Sequence, residues 1–252
     1  MLHIEYNPNL ILRQWIDAYW TETDFKPGEP PFRLLPDGRI NIVLTFDRAA
    51  SSFLSEIVGT MTSFVRVARP ESVVMFGIRF KPAGLTAFTR APMDSFTDSS
   101  VELPLVETLF GDVYKAVSEL KTVEEIIFCL DNFFIAKLAD IYDSDSRVVH
   151  AVKLIQTANG LVSIPNIADE VCLSSRHFER KFKASIGVSP QTFSKITRFQ
   201  HALQSLQKFP DKDLLTIAVE CGFYDHAHLI RVFKNLTGDS PTSFRPQDIK
   251  AR

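Results

Sequence analysis

Ile167-Ala168-Asp169-Glu170-Val171-Cys172-Leu173 and Ile217-Ala218-Val219-Glu220-Cys221-Gly222-Phe223 are two copies of one pattern. The first is followed by Phe178-x-Arg180-x-Phe182-Lys183 and Gly187-x-Ser189-Pro190-x-x-Phe193, the second by Leu229-x-Arg231-x-Phe233-Lys234 and Gly238-x-Ser240-Pro241-x-x-Phe244. The offset is 50 residues before the central turn and 51 after it. An internal repeat of this kind sets the architecture before any single element is assigned.

Each copy reads as a helix-turn-helix. The Ile-Ala pair lies near the start of a short helix, and its Ala is small enough for a second helix to cross closely. The turn is Cys172-Leu173-Ser174 in one copy and Gly222-Phe223-Tyr224 in the other. Ser174 and Asp225 stand where side-chain oxygens cap the second helix. At 100° per residue, Phe178 and Phe182 share the inner face of that helix. Arg176, Arg180 and Lys183 fall opposite, with Glu179 to one side. A solvated charged face is the bland reading of one such helix. Two copies at matched spacing favour helices laid in the major groove, where guanidinium forks meet guanine edges and phosphates.

These residues resemble the AraC/XylS family of bacterial transcription regulators, over roughly Arg147 to Arg245. The resemblance implies two helix-turn-helix units joined by a long helix and reading neighbouring major-groove segments on one face of DNA. Cys172 departs from it, because many such turns place Gly there. Carried onto this chain, the DNA-facing residues are Ser175, Arg176, Glu179, Arg180 and Lys183 in helix 175–184, and His226, Ala227, His228, Arg231 and Lys234 in helix 226–235. Base discrimination is expected mainly from the first helix. The second, with one Arg, two His and two apolar groups, is expected to add phosphate and thymine-methyl contacts.

Working outward, Asp140-Ile141-Tyr142-Asp143-Ser144-Asp145-Ser146 is short, polar and acidic. It divides the chain into a regulatory or dimerisation domain, 1–140, a linker, 141–146, and a DNA-binding domain, 147–248. Ser146 is expected to cap a helix over Arg147–Ala158, and Ser189-Pro190 to open the connecting helix to about Gln207. Charge divides at the same place. Residues 1–140 hold 13 Lys+Arg against 19 Asp+Glu, and residues 141–252 hold 15 against 11. A net −2 chain thus carries its positive charge on the repeat, as polyanion binding requires.

The first 90 residues read as strands: Leu10–Thr23, Arg39–Asp47 with Ile40, Ile42, Leu44 and Phe46 on one face, Phe53–Gly59 and Ser72–Lys81. Pro82 is expected to open a helix over Ala83–Arg90. From Leu103 the period becomes helical, and Thr122 caps Val123–Leu138. The fold class is α+β: a mostly antiparallel sheet or partial barrel with trailing helices, then an all-α domain. Arg33-Leu34-Leu35-Pro36-Asp37-Gly38 and Gly77-Ile78-Arg79-Phe80-Lys81-Pro82-Ala83-Gly84 look like motifs of a poorly characterised domain found ahead of AraC-type units.

Catalysis finds little footing. His3 is the only histidine of the first domain, the three cysteines form no metal spacing, and no Gly-rich phosphate loop or G-x-S-x-G occurs. His226-x-His228 lacks a third ligand nearby. No metal, no cofactor and no enzymatic activity are expected; the rival class is a catalytic N-terminal domain fused to a DNA-binding unit. Trp20, Arg39 and Arg79 are the candidate effector residues, read against core packing for the Trp and rim ion pairs for the arginines, Arg33 included. Expected partners are double-stranded DNA, with a small-molecule effector, RNA polymerase and a second copy as further candidates. No apolar run approaches 18 residues and Met1–Glu5 is no secretory signal, so a cytoplasmic protein away from the membrane is expected.

Overall fold

The computed structural model of the chain describes residues 2–23, 31–67, 72–102, 117–120, 122–140 and 145–246. Six antiparallel strands form an open sheet in the order β1-β2-β7-β4-β5-β8. They are β1 (Leu2–Tyr6), β2 (Ile16–Thr23), β4 (Asn41–Asp47), β5 (Ser52–Val58), β7 (Val73–Phe80) and β8 (Ser100–Glu102). β3 (Phe32–Leu34) and β6 (Val65–Val67) pair separately as a two-stranded ribbon. The sheet does not close into a barrel. Of the stretch expected as a strand from Leu10, the first five residues form a 3-10 turn capped by Asn9, and only Ile16–Thr23 extends.

Because strand side chains alternate, the register assigns each residue to a face. Leu44 lies opposite Phe76, and Ile42 opposite Ile78. These join Tyr19, Ile57 and Phe80 in a core closed by Ile126, Leu130 and Phe134 of α1 (Val123–Lys137). Thr122 and Glu125 make a reciprocal capping box at its start. The opposite face carries Trp20 across from Gly77, Gly77 across from Val43, and Val43 across from Glu56. The helical stretch expected from Leu103 falls mostly on residues 103–116, outside those described.

The C-terminal domain consists of α2 (Ser146–Thr157), α3 (Ile164–Glu170), α4 (Ser175–Ile186), α5 (Pro190–Lys208), α6 (Leu214–Glu220) and α7 (His226–Thr237). Asp145, not Ser146, caps α2: its carboxylate accepts from Arg147 N at 3.1 Å while binding Lys181 Nζ at 2.7 Å. An ionised cap that also ties α2 to α4 does more than a hydroxyl could. It also leaves Asp145 well below the usual carboxylate range, chiefly through the Arg147 guanidinium. Of the stretch expected as a linker, residues 141–144 lie outside those described.

Each unit has its own core, and the repeat reappears in the packing. Phe182 meets Phe193 at 5.6 Å in the first unit, and Phe233 meets Phe244 at 5.8 Å in the second. Ala168 and Ala218 are both fully buried. Leu173 N donates to Ala168 O at 2.9 Å and Phe223 N to Ala218 O at 2.8 Å, so the turns superpose bond for bond. Both turns need a left-handed residue, which Gly222 supplies at φ 71° and Cys172 at φ 56°. Gly accepts that conformation freely, whereas a Cβ makes it strained.

The first domain feeds residues into both cores. Ala83 is buried with Val148, Ile155 and Phe182 in the first unit, and Leu35 packs against the core of the second. This seam explains why no α-helix forms over Ala83–Arg90. Ala83 takes φ 64° to reach the neighbouring domain, and only a 3-10 turn, Gly84–Ala87, follows. Tertiary contact here outweighs a local preference.

Candidate nucleic-acid interface

α4 presents the face expected of it. Phe178, Phe182 and Ile186 are buried, while Ser175, Arg176, Glu179, Arg180 and Lys183 are exposed. Among the described residues no ion pair holds Arg176, Glu179 or Arg180, whereas Lys183 Nζ stands 4.0 Å from Asp94 of the first domain. In α7 His226, Ala227, Arg231, Lys234 and Asn235 are exposed, over a core of Leu229 and Phe233. His228 is only half-exposed. Its Nδ1 accepts from Tyr224 N at 3.4 Å and its ring stands edge-on to Phe223 at 5.5 Å, so it braces the turn.

Between the units lies a cleft of about 580 Å³ whose lining includes Lys195, Arg198, His228 and Arg231. Sequence reasoning passed over Lys195 and Arg198, which sit on the connecting helix rather than in either repeated motif. Arg198 Nη2 donates to Gly160 O at 3.0 Å and Nη1 to Gly222 O at 3.4 Å. One guanidinium thus joins the end of α2 to the turn of the second unit. Tyr224, 91% exposed beside His226, was likewise missed. Its signal was available: it is the extra residue by which the repeat offset grows from 50 to 51.

The first domain holds the C-terminal ends of α4 and α7 at matching places. At α4, Thr60 Oγ1 donates to Ile186 O at 2.6 Å and Thr97 Oγ1 to Gly187 O at 2.5 Å. At α7, Arg33 Nη1 donates to Thr237 O at 3.1 Å and pairs with Asp239, and Phe64 lies against Gly238. Gly187 and Gly238 are the same position of the repeat. Along α5, Gln200 Nε2 donates to Pro36 O at 2.5 Å and Gly38 lies against the Phe193 ring. The two N-terminal motif segments therefore run through this seam.

On the sheet face turned from the core, a cavity of about 290 Å³ is roofed by Leu34, Met61, Val65 and Val67. Trp20 and Arg79 line it; Arg39 does not, although its partner Asp37 does. Arg79 reaches Glu5 at 2.8 Å and Asp17 at 3.0 Å, and its guanidinium holds Glu5 below the ordinary carboxylate range. Arg39 stands 3.4 Å from Asp17. Both arginines therefore make the rim ion pairs weighed against an effector role. Among the described residues no three His, Cys, Asp or Glu side chains converge as a metal site, and no helix is long and apolar enough to cross a membrane.

Two family models match the chain. The family described as "Helix-turn-helix domain" matches residues 167–247, and "Domain of unknown function (DUF6597)" matches residues 4–102. The arabinose operon regulatory protein of Salmonella typhimurium is 29% identical over 161 residues, 60% of this chain and 56% of that protein. Its Escherichia coli counterpart is 28% identical over 161 residues, 60% of this chain and 54% of that protein. The chain spans little more than half the length of these curated relatives. Among solved structures, a Chromobacterium violaceum regulator with an AraC-type DNA-binding domain is 28% identical, covering 43% of this chain and 97% of its own, with a TM-score of 0.39. ToxT of Vibrio cholerae is 10% identical and covers 90% of this chain and 96% of its own, with a TM-score of 0.45.

Proposed function

We propose that this chain, whose C-terminal part is an AraC-type double helix-turn-helix domain preceded by a DUF6597 domain, is a sequence-specific DNA-binding transcription regulator. α4 and α7 enter neighbouring major-groove segments about one helical turn, ~34 Å, apart. Arg176, Glu179 and Arg180 read bases, and Arg231 and Lys234 hold phosphates. The observation that carries this reading is the pair of exposed polar helix faces at repeat-equivalent positions of two units joined by one continuous helix, α5. A basic balance of 15 Lys+Arg against 11 Asp+Glu in residues 141–252 favours the same partner.

The N-terminal domain regulates this binding. Its grip on the C-terminal ends of α4 and α7, at Gly187 and Gly238, supports that role: a shift of Thr60, Phe64 or Arg33 changes how the two helices stand to one another. The residues of that grip adjoin the cavity roof, since Thr60 precedes Met61, Arg33 precedes Leu34 and Phe64 precedes Val65. Occupancy of the cavity then reaches α7 through the β3–β6 ribbon and α4 through the loop that carries Thr60 and Met61. The protein works where the DNA is, in the cytoplasm, and recruitment of RNA polymerase and self-association are further parts of the proposal.

Selection of bound duplexes from a random pool tests it. The expected result is two short conserved blocks one turn apart, with affinity falling steeply in salt as counterions are released. Recovery of no consensus sequence at low salt would refute sequence-specific recognition. A single block would refute engagement of both units.

A further inference from the structure

We propose that the cavity between the six-stranded sheet and the β3–β6 ribbon binds an organic cation: a primary or quaternary ammonium group on a compact apolar body. The inference names the ligand class for the regulatory domain proposed above, but binding itself is independent of DNA.

Charge decides the sign. The lining carries Glu22, Asp37 and Glu56 against Arg79 and His3. Arg79 is already neutralised by Glu5 at 2.8 Å and Asp17 at 3.0 Å, and His3 lies 3.4 Å from Glu5 and 3.4 Å from Glu22. Glu102 sits directly across from Glu56 on the neighbouring strand, an arrangement of like charges that a nearby cation relieves. Burial raises the Asp37 carboxyl, while Arg39 at 3.7 Å and, more weakly, Arg79 act to lower it. A carboxylate ligand entering here would meet Glu22, Asp37 and Glu56, with both nearby arginines, Arg79 and Arg39, already held by acids.

Shape and chemistry decide the rest. Trp20 lies across Gly77 so closely that a Cβ there would come within 1.8 Å of the indole. The missing side chain is what lets the ring lie along the sheet. Trp20 Nε1 donates to Asn41 Oδ1 at 3.3 Å, which fixes the ring's orientation. The His3 ring stacks on the indole at 6.1 Å, and an aromatic ring beside carboxylates attracts cationic groups through its quadrupole. Val43, Met61, Val65 and Met75 supply the apolar wall. At about 290 Å³ the space stands at the small end of ligand pockets, near 300 Å³, enough for one aryl or short alkyl body.

The test is calorimetric titration of the full chain, without DNA, using 4-phenylbutyltrimethylammonium and, as a size-matched anion, 5-phenylpentanoate. The ammonium compound is expected to bind at one site with Kd below about 1 mM, and the carboxylate to give no saturation in that range. Glu56→Gln keeps the volume and the bond with Ser100 Oγ, 2.8 Å in the native protein. It should weaken the cation about tenfold while circular dichroism stays unchanged and Tm does not fall, since the substitution also removes the repulsion with Glu102. Trp20→Leu should weaken it comparably if the variant folds, and the Gln variant decides the matter if it does not. Equal or tighter binding of the carboxylate would overturn the proposal. So would unchanged cation affinity in Glu56→Gln, or absence of saturable cation binding. Because no DNA is present, none of these results bears on whether the protein reads DNA.

Discussion

Replacing Arg198 by Ala tests whether one side chain sets the geometry between the two helix-turn-helix units. Its guanidinium reaches Gly160 O at 3.0 Å and Gly222 O at 3.4 Å. The first is a sound hydrogen bond from a charged donor; the second is long and near solvent. Such bonds contribute about 1.5–3 kcal/mol each when well made. Gly160 O keeps a second donor, Ser194 Oγ at 2.7 Å, so the variant leaves no orphaned carbonyl there. The expected loss of stability is therefore about 2 kcal/mol, well short of the sum of two full bonds. If that energy serves to hold the two units in register, specific DNA affinity should fall by about ten- to thirtyfold. Lys in place of Arg should recover little, because one ammonium cannot span both carbonyls. Denaturant unfolding gives the first quantity, and titration of a selected duplex at several salt concentrations gives the second. A positioning role leaves the salt dependence of non-specific binding untouched. Were Arg198→Ala instead to keep native stability and lower the salt slope by about one on every sequence, Arg198 would be a phosphate contact and the reasoning would be wrong.

Arg176→Ala should cost about 1–3 kcal/mol on the preferred duplex and relax choice at one base pair, whereas Lys183→Ala should weaken all sequences alike; competition binding separates the two. Cys172→Gly should raise stability by about 0.5–1 kcal/mol, since relief of left-handed strain exceeds the added chain entropy; an unchanged or lower Tm would contradict that. Asp145→Asn should lower stability near neutral pH by about 2 kcal/mol, keeping the cap but losing the charge shared with Arg147 and Lys181. Because the folded-state pKa of Asp145 is depressed, its contribution is complete above the unfolded value of about 3.9 and disappears as pH falls through the lower, folded value. The gap between native and Asn proteins should accordingly close in acid, and a gap constant with pH would show that charge is not involved.

The C-terminal domain was legible because its signals are local. Helix period, caps such as Ser163, Ser174, Ser189 and Asp225, and a spacing written twice each depend on residues within a few turns of one another. The outer face of α4 followed from 100° per residue, and the core face of β4 from simple alternation. The short strands β1, β3, β6 and β8 were not foreseen, since three to five residues offer too little alternation to distinguish a strand from a loop.

What the sequence determined, then, is the pair of units and the face each turns outward. Tertiary structure decided how those units are held. Arg198 is an ordinary helix residue until Gly160 and Gly222 converge on it, and Thr60 an ordinary loop residue until the end of α4 arrives. Ala83 was expected in a helix, and only the neighbouring core explains its left-handed turn. The cavity likewise required Trp20 and Gly77, far apart in sequence, to meet across two strands. Local periodicity fixes the direction in which a side chain points. What it meets there depends on contacts between residues distant in the chain, and no window of sequence contains both partners.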